Sequence, residues 1–472
     1  MKNNKSFGIA VICIVLLVSL VLVPSSPVLA DDLCVTTTIQ AAIDAAGDGD
    51  TIRVPTGTYN ENLTVNKSIT LQGGWDTNCS SHISTDPADT IIDSGGTGRV
   101  ITIDGSYTVT IEGLTITNGD ATSQGGGFEG NDSGGGIYAH DATVTIENCD
   151  ITNNSGAWDG GGMFLWNCAV TLSNNHIHGN QASNGAGLYL YRSDGAELTG
   201  NQIYNNTADN FGGGGLSLND SDVTLDSNNI YSNDAAVRGG GLAAANSNLT
   251  FTNNTFNSNT AGELGAGLDL WYGSATFDSD VIQGNTAGGK GGGLYSIGST
   301  LTMAEVNIIG NIASTTGPAM GGGVYLKSLG DGSQITDCGI RNNFAAGDAS
   351  ITKRSFGGGL YIKDSTGLTV TGTTIEGNTA SLGDEGVGGG VYTQNTTMDF
   401  SNNQVLNNTA SNGWGFGGGL YLDSIHGQVN DNTIQGNIGG VNADGIGGGV
   451  SIWGWGGAAV MPQCMATPLR KT

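Results

Sequence analysis

One feature constrains this chain more than any other. A glycine-rich triplet followed by an apolar residue recurs twelve times. The apolar positions are Ile137, Met163, Leu188, Leu216, Leu242, Leu268, Leu294, Val324, Leu360, Val391, Leu420 and Val450. They lie 25 to 28 residues apart through Leu294 and 29 to 36 apart beyond it. About fourteen residues after each of the first eleven comes an apolar-x-x-Asn segment, as in Ile151-Thr152-Asn153-Asn154 and Ile434-Gln435-Gly436-Asn437. Such a period marks a repeat architecture whose units cannot bury a core alone.

Within each repeat the hydrophobic period is two, as in a half-buried strand. Val144-Thr145-Ile146, Val170-Thr171-Leu172 and Val223-Thr224-Leu225 alternate apolar residues with threonine. Strands this short bury one face only if coils stack and their inward residues merge into a shared core. The repeat is too short for a propeller blade of ~40 residues, and no helical stripe supports leucine-rich or helical repeats. The expected fold is all-β: a right-handed, single-stranded parallel β-helix, a solenoid of roughly 60–75 Å at ~4.8 Å per coil. Glycine triplets supply the sharp turns before each strand. Asn175, Asn201, Asn228, Asn254, Asn403 and Asn432, and separately the eleven terminal asparagines from Asn154 to Asn437, are expected to stack as two amide ladders. Cys149 and Cys338 hold the first ladder's position seven coils apart, too far for a disulfide, and are expected as buried thiols.

The chain divides into four segments. Residues 1–30 read as a secretory signal, with Lys2 and Lys5, an apolar run from Ile9 to Val23, and a small-residue site at Val28-Leu29-Ala30. The alternative is a retained anchor, although the run falls short of the ~20 residues a spanning helix needs. Residues 31–120 form the cap and first coils, and Thr38 to Ala46, closed by Gly47, is the one good helix signal, placed over the open end of the core. Residues 121–457 carry the repeats, and 458–472 form an irregular tail. The coil of Val450 is incomplete, so a partner or further sequence is expected over that end.

Composition narrows the functional classes. Glycine supplies 82 of 472 residues while proline supplies only 7, which excludes collagen. Without the signal, 13 basic residues face 42 acidic ones. A polyanion of this kind excludes non-specific binding to nucleic acid or an anionic bilayer. It would gather Ca2+ weakly, and no cofactor is expected. No apolar run after the signal is long enough to cross a membrane. Export permits disulfides, and Cys34 and Cys79 are the candidate pair because both precede the repeats. Both being free, or Cys34 packing under the cap, are the alternatives.

The stretch TIQAAIDAAGDGDTIRVPTGTYNENLTVNKSITLQGG, residues 38–74, resembles the opening of pectin-lyase-like parallel β-helix proteins. The Gly-Gly-Gly-apolar-Tyr and apolar-x-x-Asn segments resemble the repeats of polymorphic outer-membrane proteins. The resemblance covers nearly all of the chain after the signal. It implies a fold shared by lyases, hydrolases, esterases, epimerases and adhesins, so activity must be argued from a site. Asn-Thr-Asp, Gly-His-Gly and Arg-x-Lys, the segments of pectin-type glycosidases, are missing here. So is the Gly-Gly-x-Gly-x-Asp calcium repeat.

Candidate residues follow from the coil register. Glu112 and Glu147 hold one outward position in successive coils, ~5 Å apart, as in a retaining carboxylate pair; Asp226 and Asp278 share it two coils apart, ~10 Å, near the inverting range. The alternative is screened surface carboxylates. Asp150, His176 and His178 are weak metal candidates, with surface histidines as the plainer reading. The position after each post-glycine residue points outward and holds Tyr138, Phe164, Tyr189, Tyr295, Tyr325, Tyr361, Tyr392 and Tyr421. Trp166, Tyr191, Trp271 and Trp453 follow two residues later. This stripe either stacks on sugar rings or anchors a partner, or is buried by loops folding over it.

Insertions cluster in the later loops, on one edge. Lys327, Arg341, Lys353, Arg354 and Lys363 gather there beside Tyr325 and Tyr361, a set suited to an acidic sugar. Neutralisation of Asp331, Asp337, Asp348 and Asp364 is the alternative. The expected function is that of a secreted or cell-surface β-helix protein, adhesin-like and non-catalytic, that binds carbohydrate or a surface partner. A polysaccharide lyase or glycoside hydrolase acting on acidic polysaccharide, and a structural envelope spacer, are the rivals.

Overall fold

The computed structural model describes residues 31–443 and 445–454, so the expected signal at 1–30 and tail at 458–472 lie outside the described residues. Each repeat makes one coil of a parallel β-solenoid. One wall is a 25-stranded sheet, to which most coils give two strands, as in Ile137–His140 and Thr143–Glu147. A second wall is a 14-stranded sheet whose strands follow strict chain order. The post-glycine residues pair in register, Ile137 with Met163, Leu188 with Leu216, Leu242 with Leu268. The glycine triplet therefore sets the phase of every coil.

The alternating residues point as their pattern requires. Leu225, Phe251 and Phe277 stack in consecutive coils, all fully buried, with the two phenylalanine rings 4.5 Å apart. Full burial of one such side chain contributes about 1.5–3 kcal/mol. Two glycines show why the triplet resists substitution. Gly239 turns with φ +60°, and a Cβ on Gly241 would sit 2.6 Å from the Gly267 carbonyl oxygen and 3.0 Å from Asn259 Nδ2.

That asparagine belongs to a ladder. Asn180 Nδ2 donates to Asn206 Oδ1 at 3.0 Å and to the Ile151 carbonyl at 2.9 Å, and the pattern continues rung by rung to Asn437. Every rung is buried, and each amide nitrogen before the last is satisfied by the next asparagine and by a backbone carbonyl. The other ladder runs from Cys149 through Asn175, Asn201, Asn228 and Asn254 to Asp280. Burial pushes the Asp280 carboxyl up to about 6. Cys149 and Cys338 occupy this column as buried free thiols.

The helix spans Ile39–Ala45, with Ile39 and Ile43 turned into the end of the core. Thr38 Oγ1 accepts from the Ala41 N–H, and the Glu61 carboxylate accepts from Ile39 and Gln40 N–H. These acceptors satisfy donors a helix N-terminus leaves open. The helix stops at Ala45, before Gly47, because Ala46 is already extended. Cys34 and Cys79 form a disulfide with Cα atoms 5.6 Å apart, tying the first described strand to a loop of the cap. No described helix is long and apolar enough to cross a membrane.

Candidate functional site

The outer face of the 25-stranded wall carries a groove made of parallel columns. Its floor is the position after each post-glycine residue, in register from Tyr138 through Phe164, Tyr189, Ser217, Ala243, Asp269, Tyr295, Tyr325, Tyr361 and Tyr392 to Tyr421. Above it runs a column from the residues just before the glycines. Gly212, Arg238, Leu264, Lys290, Met320, Phe356, Val387 and Phe416 pair backbone to backbone in that order.

In the C-terminal half this upper column is largely apolar and covers the floor. Tyr295, Tyr325, Tyr361 and Tyr392 stack with centroids 4.8, 4.8 and 5.0 Å apart and pack against Leu264, Met320, Phe356, Val387 and Phe416. Tyr325 and Tyr361 are only 4% and 5% exposed, and burial raises both phenols. Of the two readings of the stripe, burial under loops folding over it is the one this half follows. The longer loops form extra strands, Ser355–Phe356, Glu385–Val387 and Trp414–Phe416, and lay apolar side chains over the stripe. It is a second core. A cavity of about 690 Å³ opens where this half ends, lined in part by Arg354, Phe356, Tyr392 and Trp453, beside Gly454, the last described residue.

In the N-terminal half the floor is buried as well, with Tyr138 5% and Phe164 0% exposed, but a neighbouring aromatic column is partly exposed. A third column, two residues beyond the floor, holds His140, Trp166 and Tyr191 with rings 4.5 and 6.0 Å apart, all partly exposed. Phe128 meets Tyr191 edge-on at 5.6 Å. Further along the column come Asn219, Ala245 and Trp271. Between the Tyr191 and Trp271 coils the floor shrinks to Ser217 and Ala243, and the upper column has Gly212, which has no side chain. A recess of about 20 Å³ results, lined by Asn184, Ser217, Asn219, Arg238, Ala243 and Asp269 among others.

Asp269 is the floor's one carboxylate and is fully buried. Its Oδ1 accepts from Trp271 Nε1 at 2.8 Å, while its Oδ2 has no hydrogen-bond partner and lies 3.7 Å from Arg238 Nε. Burial pushes this carboxyl up to about 7, opposed by the Arg238 charge and the Trp271 donor. At the recess's other edge Asn219 Nδ2 donates to the Tyr189 hydroxyl at 2.6 Å. Asp159, beneath Asn184 at 3.4 Å, is pushed up to about 6, again by burial.

The profile of the right-handed beta helix region family matches residues 99–282 and 276–461. The chain belongs to that family. No curated protein sequence matches it. Among solved structures it is similar to the A-module of a mannuronan C-5 epimerase from Azotobacter vinelandii, at 14% identity over 88% of this chain and 94% of that one, TM-score 0.39. It is also similar to the tailspike of Pseudomonas phage phi297, at 10% identity over 82% and 72%, TM-score 0.32. A surface adhesin of Streptococcus pneumoniae matches at 12% identity over 86% and 87%, TM-score 0.30.

The β-helix brings some of the residues singled out from sequence together and separates others. Lys327 and Lys363 are in-register neighbours on the groove wall. Arg341, however, lies on the 14-stranded wall, 3.9 Å from Glu376. Arg354 lies 3.1 Å from Glu385, and Lys353 is exposed in the loop before it. Arg341 is thus set apart from the lysine pair, because successive strands of one coil face different walls. The aspartates nearby are engaged by uncharged groups, Asp331 by Thr366 and Asp364 by Asn395.

Glu112 and Glu147 sit in register, with Gln72 donating to Glu112 at 2.9 Å. Asp226 and Asp278 are separated by Thr252, and each accepts from the serine that follows it. Asp150 lies 2.9 Å from His178 Nε2, whereas His176 turns to Gln202. Among the described residues no group of three or more His, Cys, Asp or Glu side chains is arranged to hold a metal ion.

Two features escaped the sequence reading. Tyr204 and Tyr231 extend His178 into a stack at 4.6 and 4.9 Å on the 14-stranded wall. Asp269 and Arg238 form the recess. The signal for the last was present: an aspartate where eight of twelve coils place an aromatic ring.

Proposed function

We propose that this β-helix is an adhesin-like carbohydrate-binding protein of the cell exterior, and that a glycan chain lies along the open half of the groove. The observation that carries this reading is the row of partly exposed rings, Trp166 and Tyr191 on one side of the recess and Trp271 on the other, fixed on a hydrogen-bonded wall. Aromatic faces on a rigid support stack on sugar rings at little entropic cost. Three coil steps separate Tyr191 from Trp271, roughly 14 Å at ~4.8 Å each, room for an oligosaccharide. The export-type N-terminus agrees with this location. The test is glycan-array screening followed by titration calorimetry on the full chain. A Trp166→Ala/Tyr191→Ala variant with an unchanged melting profile should lose roughly tenfold or more in affinity; unchanged affinity would overturn the reading.

One observation favours catalysis instead. A carboxyl held near neutrality, as Asp269 is, suits a general acid. Glycoside hydrolysis pairs that acid with a second carboxylate across the bond, and Asp269 is the only carboxylate among the residues lining the recess. Binding is the better-supported conclusion. Release of reducing ends or unsaturated products by wild type, abolished in Asp269→Asn, would reverse that order.

A further inference from the structure

We infer that the Asp269 recess selects a neutral, polyhydroxylated sugar unit over an acidic one, taking one sugar hydroxyl onto Asp269 while Arg238 holds a neighbouring oxygen. The inference rests on the glycan-binding reading of the groove and adds to it the class of sugar. Asp269 stands in a column otherwise built largely of stacked rings, so packing does not call for it. Its Oδ2 is buried without a hydrogen bond, and the 3.7 Å to Arg238 Nε is too long to supply one. A buried acceptor left in that state is costly, and a donor entering the recess removes the cost.

The recess volume, about 20 Å³, suits a group the size of one water or one hydroxyl. Arg238 is part-exposed, with its guanidinium 5.3 Å from the Trp271 ring centroid. It lines the recess together with Asp269.

A sugar hydroxyl both donates and accepts. One hydroxyl of a vicinal pair can donate to Asp269 Oδ2 while the other accepts from Arg238, with the ring carried against Trp271. A uronate fits this site poorly. Its carboxylate would approach Asp269, and the Arg238 charge is already shared with that residue. The whole chain carries a net charge of −27, which repels polyanions at low salt.

The test is titration of the full chain with gluco-, manno-, galacto- and xylo-oligosaccharides and, separately, with oligogalacturonate and oligomannuronate. At least one neutral series should bind, and both uronate series should bind at least tenfold more weakly. Asp269→Asn, which turns the recess atom from acceptor to donor, should weaken neutral binding at least tenfold. Ala243→Phe continues the aromatic floor through the recess and should abolish that binding while keeping the melting profile; it decides the matter if Asp269→Asn does not fold. Tighter uronate binding overturns the inference. So does neutral binding that survives both recess variants but is lost in Trp166→Ala/Tyr191→Ala, an outcome that leaves the recess to water and the groove reading standing. A folded wild type that binds none of these sugars removes the groove reading, and the inference with it.

Discussion

From the coil of Leu188 to that of Leu268 the groove floor reads Tyr189, Ser217, Ala243, Asp269. From Leu294 to Leu420 it reads Tyr295, Tyr325, Tyr361, Tyr392, Tyr421. The two stretches share one backbone, one register and one core. What separates them is the loop that precedes the glycines. Short loops offer Asn184, Gly212 and Arg238 and leave only a small recess over Ser217, Ala243 and Asp269. Longer ones build extra strands and bring Met320, Phe356 and Phe416 down on the tyrosines. Rings of this column are thus covered by residues outside their own strand, Tyr138 by Arg99 and Tyr392 by Phe356. Aromatic residues at an outward strand position do not by themselves mark a binding face.

The largest test of this contrast concerns what both halves share. Leu225→Asp places a carboxylate in the dry interior beneath the open half, and it should destabilise by several kcal/mol, about 4 or more, with loss of the cooperative melting transition. A neutral result would mean that the inward and outward assignment is reversed.

Next in size is Tyr361→Ala in the sealed half. The ring is buried between Tyr325 and Tyr392, so its loss should cost about 2–4 kcal/mol. The solenoid need not unfold as one unit, so hydrogen exchange should show the protection lost chiefly in the coils of Val324 to Val391. Uniform loss along the rod would break the picture of two separately packed halves.

Protonation gives an intermediate effect. Burial raises Asp159, Asp269 and Asp280 above the ordinary aspartate range. An acid whose folded value is raised binds its proton more tightly in the fold than in the unfolded chain. Its contribution is full below about pH 4 and is lost as pH rises toward 6 to 7. Replacing Asp269 and Asp280 with asparagine should therefore raise the melting temperature at pH 7.5, by on the order of 1–3 kcal/mol in stability, and change it little at pH 4. Equal gains at both pH values would contradict the buried-acid account.

The smallest expected stability effect is Tyr191→Ala in the open half. Its ring is partly exposed, so its loss should cost less than ~1 kcal/mol while weakening glycan binding. A cost matching that of Tyr361→Ala would show that the open half is sealed as well.

The sequence is legible wherever the period acts. Glycine triplets fix the coil phase, and threonine alternation fixes which residues enter the core. The asparagine columns followed from their spacing, and the helix signal at Thr38 located the cap. The period does not reach the loops. Insertions of unequal length before Val324, Leu360 and Val391 conceal which side chain ends up above the floor, so burial of Tyr325 and Tyr361 was not decided by sequence. Proximity in the chain also misled: Arg341 and Lys363 belong to neighbouring coils but to different walls. Asp269 departs from the period, standing where eight of twelve coils carry a ring, so the repeat does not mark it.

The asparagine column from Asn154 to Asn437 passes through both halves without a break. Each rung bonds only to the coils beside it, so a coil can be added or removed in whole units without disturbing its neighbours' bonds. A groove on such a frame can grow by duplication, one ~4.8 Å step at a time. The open and sealed stretches then become two alphabets written on one ruled page, and changing the residues of a single loop is enough to move a coil from one to the other.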